Sequence, residues 1–418
     1  MLARLAGRLG VKEDETTAAA WAFACFFCLM AAYYVLRPLR DAMGLLGGTR
    51  DLPRLFLVTL AVTLAVTPAY FALVSRVPRR RFLPVVYRVV AATLLGFAPL
   101  VAGPHPSVLA ARAFFVWTSV FNLFALTILW GFMADLFRHE QATRLFGLFG
   151  AGATLGALAG SLVTASLVER AGTWPLLVLS AVLIEGAVQC VRRLAALFHV
   201  DESAPREGLV ETRGLRTIAH VLATPYLLAI AGYVLLFTSV STFAYLEQAR
   251  IARASLPDTA SRAALFATID AWVNGLSLAL QILATGPLVR ALGVTRALSV
   301  LPAFCLAGFV ALGWRPTLGM LVAFQVARRT VDYAIAKPTR EVLFTVVSRE
   351  DKYKAKAFLD TFVYRGGDGM AAALFEAVAP ALGGSAIALA VPTCAAWMGV
   401  AIVLGRAEER RARSSAST

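Results

Sequence analysis

Long apolar runs separated by short polar segments dominate the chain from end to end. Each run reaches the roughly 20 residues that an α-helix needs to cross a bilayer. The pattern predicts twelve transmembrane helices, at residues 17–39, 52–74, 83–103, 108–134, 145–168, 173–197, 221–247, 262–286, 294–313, 317–338, 356–382 and 384–404. We therefore predict an all-α polytopic membrane protein.

The longest polar stretch falls between the sixth and seventh runs and divides the runs into two sets of six. A 6+6 arrangement with a central loop is typical of carriers of the major-facilitator type. The predicted parts are an N-terminal six-helix bundle at 1–198, a cytoplasmic linker at 199–220, a C-terminal six-helix bundle at 221–405 and a basic cytoplasmic tail at 406–418. The halves also echo each other, since EQATRLFGLFG (140–150) and EDKYKAKAFLD (350–360) lead into equivalent runs.

Composition strengthens this interpretation. The 418 residues are 59% hydrophobic and 16% charged, whereas soluble domains are nearer half apolar and a quarter charged. The net charge of +15 is concentrated in alternate loops, which indicates membrane topology rather than nucleic-acid binding. Since basic loops face the cytoplasm, both termini are predicted to lie inside. The segment after the seventh run, with Arg250, Arg253 and Arg262, is an exception.

Motifs of enzymes and metal sites are missing from the sequence. There is no GxxxxGK[ST] phosphate loop, no HExxH and no GxSxG. The five cysteines all lie in apolar runs, where they act as core residues. We therefore expect no catalytic residue, no metal and no cofactor.

The candidate functional residues are charges within the predicted spans, because a charge at the bilayer centre costs about 2.5–3.5 kcal/mol or more. Arg37, Arg40 and Asp41 share one helical face. Pro38 is expected to break or kink the helix beside them. Alternatively, this segment is the outer end of the first span, with its arginines reaching the lipid headgroups.

Further charges accompany the seventh and tenth spans. Glu247 ends the seventh run, where Arg250 and Arg253 provide possible partners. The tenth run is the most highly charged, with Arg328, Arg329, Asp332, Lys337, Arg340 and Glu341. The spacing predicts pairs between Arg329 and Asp332 and between Lys337 and Glu341. These pairs would leave net positive charge, as expected of a site for an anion.

Polar residues of other spans are weaker candidates. Asp270 and Asn274 lie one turn apart in the eighth span, and Asp368 lies in the eleventh. They either line a polar pathway or make satisfied interior contacts. Gly152, Gly156 and Gly160 recur at every fourth residue of the fifth span, a spacing that predicts close helix packing.

Three segments resemble the ATP:ADP exchanger family of plastids and intracellular bacteria. They are YYVLRPLRDAMG (33–44), WGFMADLFRHEQATRLFGLFGAGATLGALAG (130–160) and YAIAKPTREVLFTVVSREDKYKAKAFLD (333–360). The last is the most specific, because hydrophobicity does not explain its Pro-x-basic-Glu run followed by K-x-K-A. The resemblance implies twelve spans, a major-facilitator-like fold and nucleotide exchange.

In that family, basic residues in spans one and ten and acidic residues in spans four and seven matter for exchange. By motif position, Arg40 matches the first-span lysine, Glu247 the seventh-span glutamate and Arg340 the tenth-span lysine. The fourth-span glutamate has no counterpart. That region reads FFVWTSVFNLF (114–124), and Asn122 is its only strongly polar side chain. Arginine in place of lysine changes the geometry of phosphate binding.

The sequence thus predicts a secondary transporter that exchanges nucleotides or related phosphorylated anions by alternating access. We expect it in a bacterial inner membrane. The substrate-binding residues are predicted to be Arg37, Arg40, Glu247, Lys337 and Arg340. The residues of coupling or of the pathway are predicted to be Asp41, Asp270, Asn274, Asp332, Glu341 and Asp368. The alternatives are a proton-coupled carrier of another anionic or amphiphilic solute, and a non-transporting membrane scaffold or sensor.

Overall fold

The computed structural model describes residues 15–77, 79–101, 106–137, 139–198, 220–283, 285–347 and 359–416. The regular elements of these ranges are helices. The longer ones are α1 (Thr16–Met43), α2 (Leu52–Arg76), α3 (Arg79–Val101), α4 (Val108–Leu136), α5 (His139–Ala171), α6 (Trp174–Leu197), α7 (Pro225–Ser255), α8 (Thr259–Leu283), α9 (Thr285–Trp314), α10 (Leu318–Val331), α11 (Lys337–Val342), α12 (Tyr364–Val378) and α13 (Ile387–Ala416). The predicted all-α membrane fold is confirmed.

Ten helices of the described part are long and apolar enough to cross a membrane, against twelve predicted. The two remaining runs are the tenth and the eleventh. The tenth is divided by a π-turn at Asp332–Ala336, which leaves α10 with 14 residues. The eleventh, over its described residues, has a π-turn at Leu359–Val363 before the 15-residue α12. These interruptions and charges distinguish both runs from the ten helices that are long and apolar enough to cross a membrane.

The described residues form two compact units. Unit 1 comprises those within Met1–Gly47, Ala61–Leu209 and Asp258–Asn274, and unit 2 comprises those within Gly48–Leu60, Val210–Pro257 and Gly275–Thr418. Each unit therefore holds most of one predicted bundle and the first part of a helix from the other half of the chain. The described part of α13 continues to Ala416, through most of the predicted tail. The predicted linker, except His220, lies outside the described residues.

Helix α1 is the centre of unit 1, where it packs against α4, α5 and α6. The glycine repeat of α5 makes this packing close. A Cβ atom at Gly152, Gly156 or Gly160 would lie 2.6, 2.2 or 2.4 Å from the backbone carbonyl oxygens of Phe23, Phe27 and Ala31, respectively. Both sets of residues recur every four positions, so two helix surfaces meet over two turns. The packing role predicted for these glycines is confirmed.

The break predicted at Pro38 is wrong. Helix α1 continues through Pro38 to Met43, and the Gly44 amide still donates to the Arg40 carbonyl oxygen at 2.9 Å. A proline removes only one backbone donor from a helix. Here Pro38 is buried in the long packed helix α1, which also contacts three neighbours.

Helix α7 has the equivalent central position in unit 2, where it packs against α10, α12 and α13. Helix α9 packs against α13, α10 and α11, and at Gly293 its backbone turns with a φ of 70°. Its neighbour in sequence, α8, begins at Thr259 because Asp258 caps it: the Ser261 amide donates to Oδ1 at 2.8 Å. This hydrogen bond holds the pKa of Asp258 below its usual value.

Candidate functional site

Arg37 of α1 lies in unit 1 beside an acidic residue distant in sequence. Its Nη1 is 3.5 Å from Asp270 Oδ1 of α8, and it also lies 3.5 Å from the Tyr34 hydroxyl oxygen. The Arg37 side chain keeps 21% of its surface exposed, whereas that of Asp270 keeps 3%. A buried carboxylate thus lies beside a half-buried guanidinium. The structure brings these two predicted residues together.

Arg40, one turn further along α1, bonds its own neighbour. Its Nε and Nη2 donate to Asp41 Oδ1 at 2.9 and 2.6 Å, and its Nη1 lies 3.4 Å from the Ser119 hydroxyl oxygen. The guanidinium carbon lies 5.2 Å from the Phe115 ring centroid. Ser119 and Phe115 both come from α4, so the α1–α4 contact positions Arg40.

Asn274 also belongs to this unit and is 5% exposed. Its amide lies 3.5 Å from the Ser161 hydroxyl oxygen, which connects α8 to α5. Asp270 and Asn274 are therefore interior residues of unit 1 with contacts to different helices. Both are buried, as a pathway residue or a satisfied interior contact would be.

Glu247 is buried in unit 2, where it joins α7 to the start of α13. It accepts hydrogen bonds from Arg250, from the Ser385 hydroxyl at 3.2 Å and from the Ala386 amide at 3.2 Å. The pairing with Arg250 that the sequence indicated is confirmed. The segment after the seventh run is basic although it is predicted to lie outside the cytoplasm. Pairing with Glu247 gives Arg250 a structural role there, and Arg262 is buried at 8% exposure.

Arg340 of α11 and Asp332 form another pair of unit 2. Arg340 Nη2 lies 3.4 Å from Asp332 Oδ1, and its guanidinium carbon lies 4.2 Å from the centroid of the Phe237 ring. Phe237 and Glu247 are ten residues apart on α7, which corresponds to about 15 Å along a helix. Arg340 therefore contacts α7 about 15 Å along the helix from Glu247, and the two residues bond different partners.

Lys337 and Glu341 are exposed, in contrast to the residues beside them. Asp368 of α12 is half-buried, and its Oδ1 accepts a hydrogen bond from the Thr242 hydroxyl at 3.0 Å. The carboxylates of Asp270 and Glu247, by contrast, face arginines within 4 Å. Among the described residues, Asp368 has a hydroxyl as its hydrogen-bond partner.

Two buried residues of α10 were absent from the predicted site. Arg328 is 8% exposed and Gln325 is 1% exposed. Arg328 Nε and Nη2 donate to Gln325 Oε1 at 3.1 and 3.0 Å, and Gln325 Nε2 donates to the Ala244 carbonyl oxygen at 3.0 Å. Their i, i+3 spacing was a signal in the sequence, but it did not distinguish Arg328 from Arg329.

Comparisons with known proteins also indicate a membrane transporter. No family model matches the chain. ADP,ATP carrier protein 1 of Chlamydia muridarum (strain MoPn / Nigg) is 22% identical over 422 residues, covering 82% of this chain and 78% of that protein. This similarity confirms the resemblance that the three segments indicated.

The structural similarities cover nearly the whole chain. A variant of the nucleoside transporter NupG gives a TM-score of 0.66 at 12% identity, covering 94% of this chain and 98% of that chain. An autoinhibited peptide transporter of the POT family gives 0.66 at 12% identity, with 94% and 96% covered. A bacterial homologue of the human lysosomal transporter Spinster gives 0.56 at 14% identity, with 96% and 98% covered.

These proteins are transporters rather than enzymes. The all-helical units, the charges retained inside membrane-length helices and the similarities agree. The chain is a membrane transporter with a major-facilitator-like fold that resembles the non-mitochondrial ADP,ATP carriers.

Proposed function

We propose that the chain exchanges nucleotides of the ATP/ADP type, or closely related phosphorylated anions, across a membrane. The observation that carries the proposal is the similarity to an ADP,ATP carrier over 82% of the chain. The matched positions Arg40 and Arg340 add support, because both are half-buried arginines within helices of this fold. Arginine offers a planar fork that fits phosphate oxygens in pairs.

The proposed substrate residues have different tasks. Arg37 and Arg40 supply positive charge for phosphate oxygens in unit 1, and Lys337 and Arg340 do so in unit 2. In the structure, Arg37 bonds Asp270, Arg40 bonds Asp41 and Arg340 bonds Asp332. An arriving anion competes with these carboxylates. This competition makes an empty carrier slow to change conformation and favours exchange over one-way transport.

Glu247 contributes in a different manner. Its carboxylate bonds Arg250 and the first residues before α13, so it fixes the end of α7 against that helix. We propose that Glu247 acts by changing this connection rather than by touching the anion. Replacement of Glu247 by Gln would retain the size of the side chain and remove the charge that Arg250 neutralises.

Uptake into proteoliposomes tests the proposed exchange. Labelled ATP is expected to enter vesicles preloaded with ADP and not to enter empty vesicles. Arg40→Ala and Arg340→Ala are expected to abolish this uptake while expression and insertion into the membrane are retained. Normal uptake by both variants would contradict the residue assignment, and no uptake by folded wild-type protein under either condition would contradict the nucleotide substrate.

A proton-coupled carrier is the second candidate function. It is favoured by Asp368, because a carboxylate that bonds a hydroxyl rather than a cation is better placed to take up a proton. This function predicts uptake driven by a pH gradient without a counter-substrate, and loss of that uptake in Asp368→Asn. Exchange needs substrate on both sides, so preloading separates the two mechanisms.

We further propose that the protein resides in the inner membrane of a bacterium with both termini in the cytoplasm. The basic loops support this orientation, since positive residues are retained on the cytoplasmic side. A non-transporting scaffold or sensor is disfavoured, because charges inside membrane helices are costly to retain without a function. Binding of ATP without any flux would support that third candidate.

A further inference from the structure

One face of α7 contacts a row of long side chains that come from α10 and α11. Phe237, Ser241 and Ala244 recur at intervals of four and three residues, so they share this face. Phe237 contacts Arg340, and Ser241 contacts Arg328. The two guanidinium groups thus lie about one helical turn apart along α7.

The partners of Arg328 are neutral. Its Nε and Nη2 donate to Gln325, and its Nη1 lies 3.3 Å from the Ser241 hydroxyl oxygen. Among the described residues, the Arg328 guanidinium has no carboxylate within 4 Å. It is nevertheless 8% exposed, and its neighbour Arg329 adds a repelling charge. Burial of a guanidinium without a counter-charge in contact is costly, so Arg328 carries a positive charge that no carboxylate of the described residues contacts.

A π-turn explains why the nearest acid forms its ion pair with Arg340 rather than with Arg328. Asp332 follows Arg328 by four residues, a spacing at which an α-helix would pair them. The π-turn at Asp332–Ala336 adds one residue, which rotates everything after it by about 100°. Arg340, eight residues beyond Asp332, is thereby aligned to within about 20° of it. Asp332 pairs with Arg340, and Arg328 is left to neutral oxygens.

We propose that Arg328 binds an anionic group of the transported substrate, with Gln325 and Ser241 holding the guanidinium ready for it. This inference rests on the proposed function to the extent that the substrate is an anion. The anion approaches from the side of Ser241 and Arg340, which are both half-buried. The substrate class is a phosphorylated or carboxylated solute, since such oxygens match the guanidinium fork.

Binding and stability measured on the purified full-length protein test the proposal. Arg328→Met retains the length of the side chain and removes the charge, and it is expected to weaken ATP binding by about tenfold or more. Arg328→Lys keeps the charge without the fork and is expected to fall between wild type and Arg328→Met. The melting temperature of ligand-free Arg328→Met is expected to equal or exceed that of wild type, because an uncompensated buried charge is gone.

Arg315→Gln is the matched control. Arg315 also belongs to unit 2, but it is exposed after α9 and stacks on Trp314, so its loss is expected to leave ATP binding unchanged. The proposal is overturned if Arg328→Met binds ATP like wild type, whatever its melting temperature. If wild-type protein binds no nucleotide but binds another anion, the proposed function fails, and the same variants measured with that anion decide the role of Arg328.

Discussion

At the scale of single residues, the structure decides which charges pair. Arg37 lies against Asp270, more than two hundred positions later in the chain, and Arg40 bonds the adjacent Asp41. The sequence marked these residues as costly and placed Arg37, Arg40 and Asp41 on one face. The spacing of charges along one helix did not reveal the Asp270 partner, because that contact depends on how α1 meets α8.

The pair between Arg37 and Asp270 leads to a stability prediction. Asp270→Asn is expected to lower the free energy of unfolding by about 2 kcal/mol, since it leaves a half-buried guanidinium without its carboxylate. The double variant Arg37→Gln with Asp270→Asn is expected to recover part of this loss. Denaturant titration in detergent micelles measures both effects.

Glu376→Gln is the control for that experiment. It removes the partner of Arg54 in a pair whose arginine side chain is 72% exposed, and exposed pairs contribute little. A loss for Glu376→Gln as large as that for Asp270→Asn would contradict the importance of burial. The single variant Arg37→Gln is measured as well. If the double variant loses as much free energy of unfolding as Arg37→Gln and Asp270→Asn lose together, the direct pairing of Arg37 with Asp270 is contradicted.

At the scale of helices, the sequence predicted most elements and the type of their packing. Ten of its twelve runs correspond to helices of membrane length in the described part, and the glycine repeat does bring α5 close to α1. The π-turns were not predictable from periodicity, because a widened turn has no residue pattern of its own. The sequence also failed to predict that α1 continues through Pro38, because tertiary packing stabilises a helical conformation that proline disfavours locally.

Two glycines of α5 provide a matched test of the packing. Gly156→Ala would place a Cβ atom 2.2 Å from the Phe27 carbonyl oxygen, whereas a Cβ atom at Gly147 meets nothing within 4 Å. Gly156→Ala is expected to destabilise the protein by about 3 kcal/mol through overpacking. Gly147→Ala is expected to leave stability unchanged or raise it by about 0.5–1 kcal/mol. Melting temperatures in detergent check both, and equal tolerance of the two changes would contradict the close packing.

At the scale of the whole molecule, the count of membrane crossings depends on α10 and α12. Twelve crossings and ten crossings both place the termini on one side, so the termini alone do not distinguish them. The segment that follows Val347 does. It is predicted to be cytoplasmic if α10 crosses the membrane, and it would lie on the opposite side if neither α10 nor α12 crossed.

Reporter fusions measure this difference. A fluorescent protein that matures only in the cytoplasm is expected to fluoresce when fused after Val347 and after Thr418. Alkaline phosphatase, which is active only outside the cytoplasm, is expected to be active when fused within the 103–107 loop. Phosphatase activity after Val347 would contradict twelve crossings, and phosphatase activity after Thr418 would contradict the predicted orientation.

The sequence by itself determined the all-helical membrane fold, the approximate helix positions and the type of transporter. These follow from hydrophobicity and from local motifs, which do not depend on contacts between distant residues. Tertiary structure alone decided that Arg37 faces Asp270 and that Arg328 is buried among neutral oxygens. The physical reason is that the cost of a charge depends on its surroundings, and these are assembled from helices far apart in the chain.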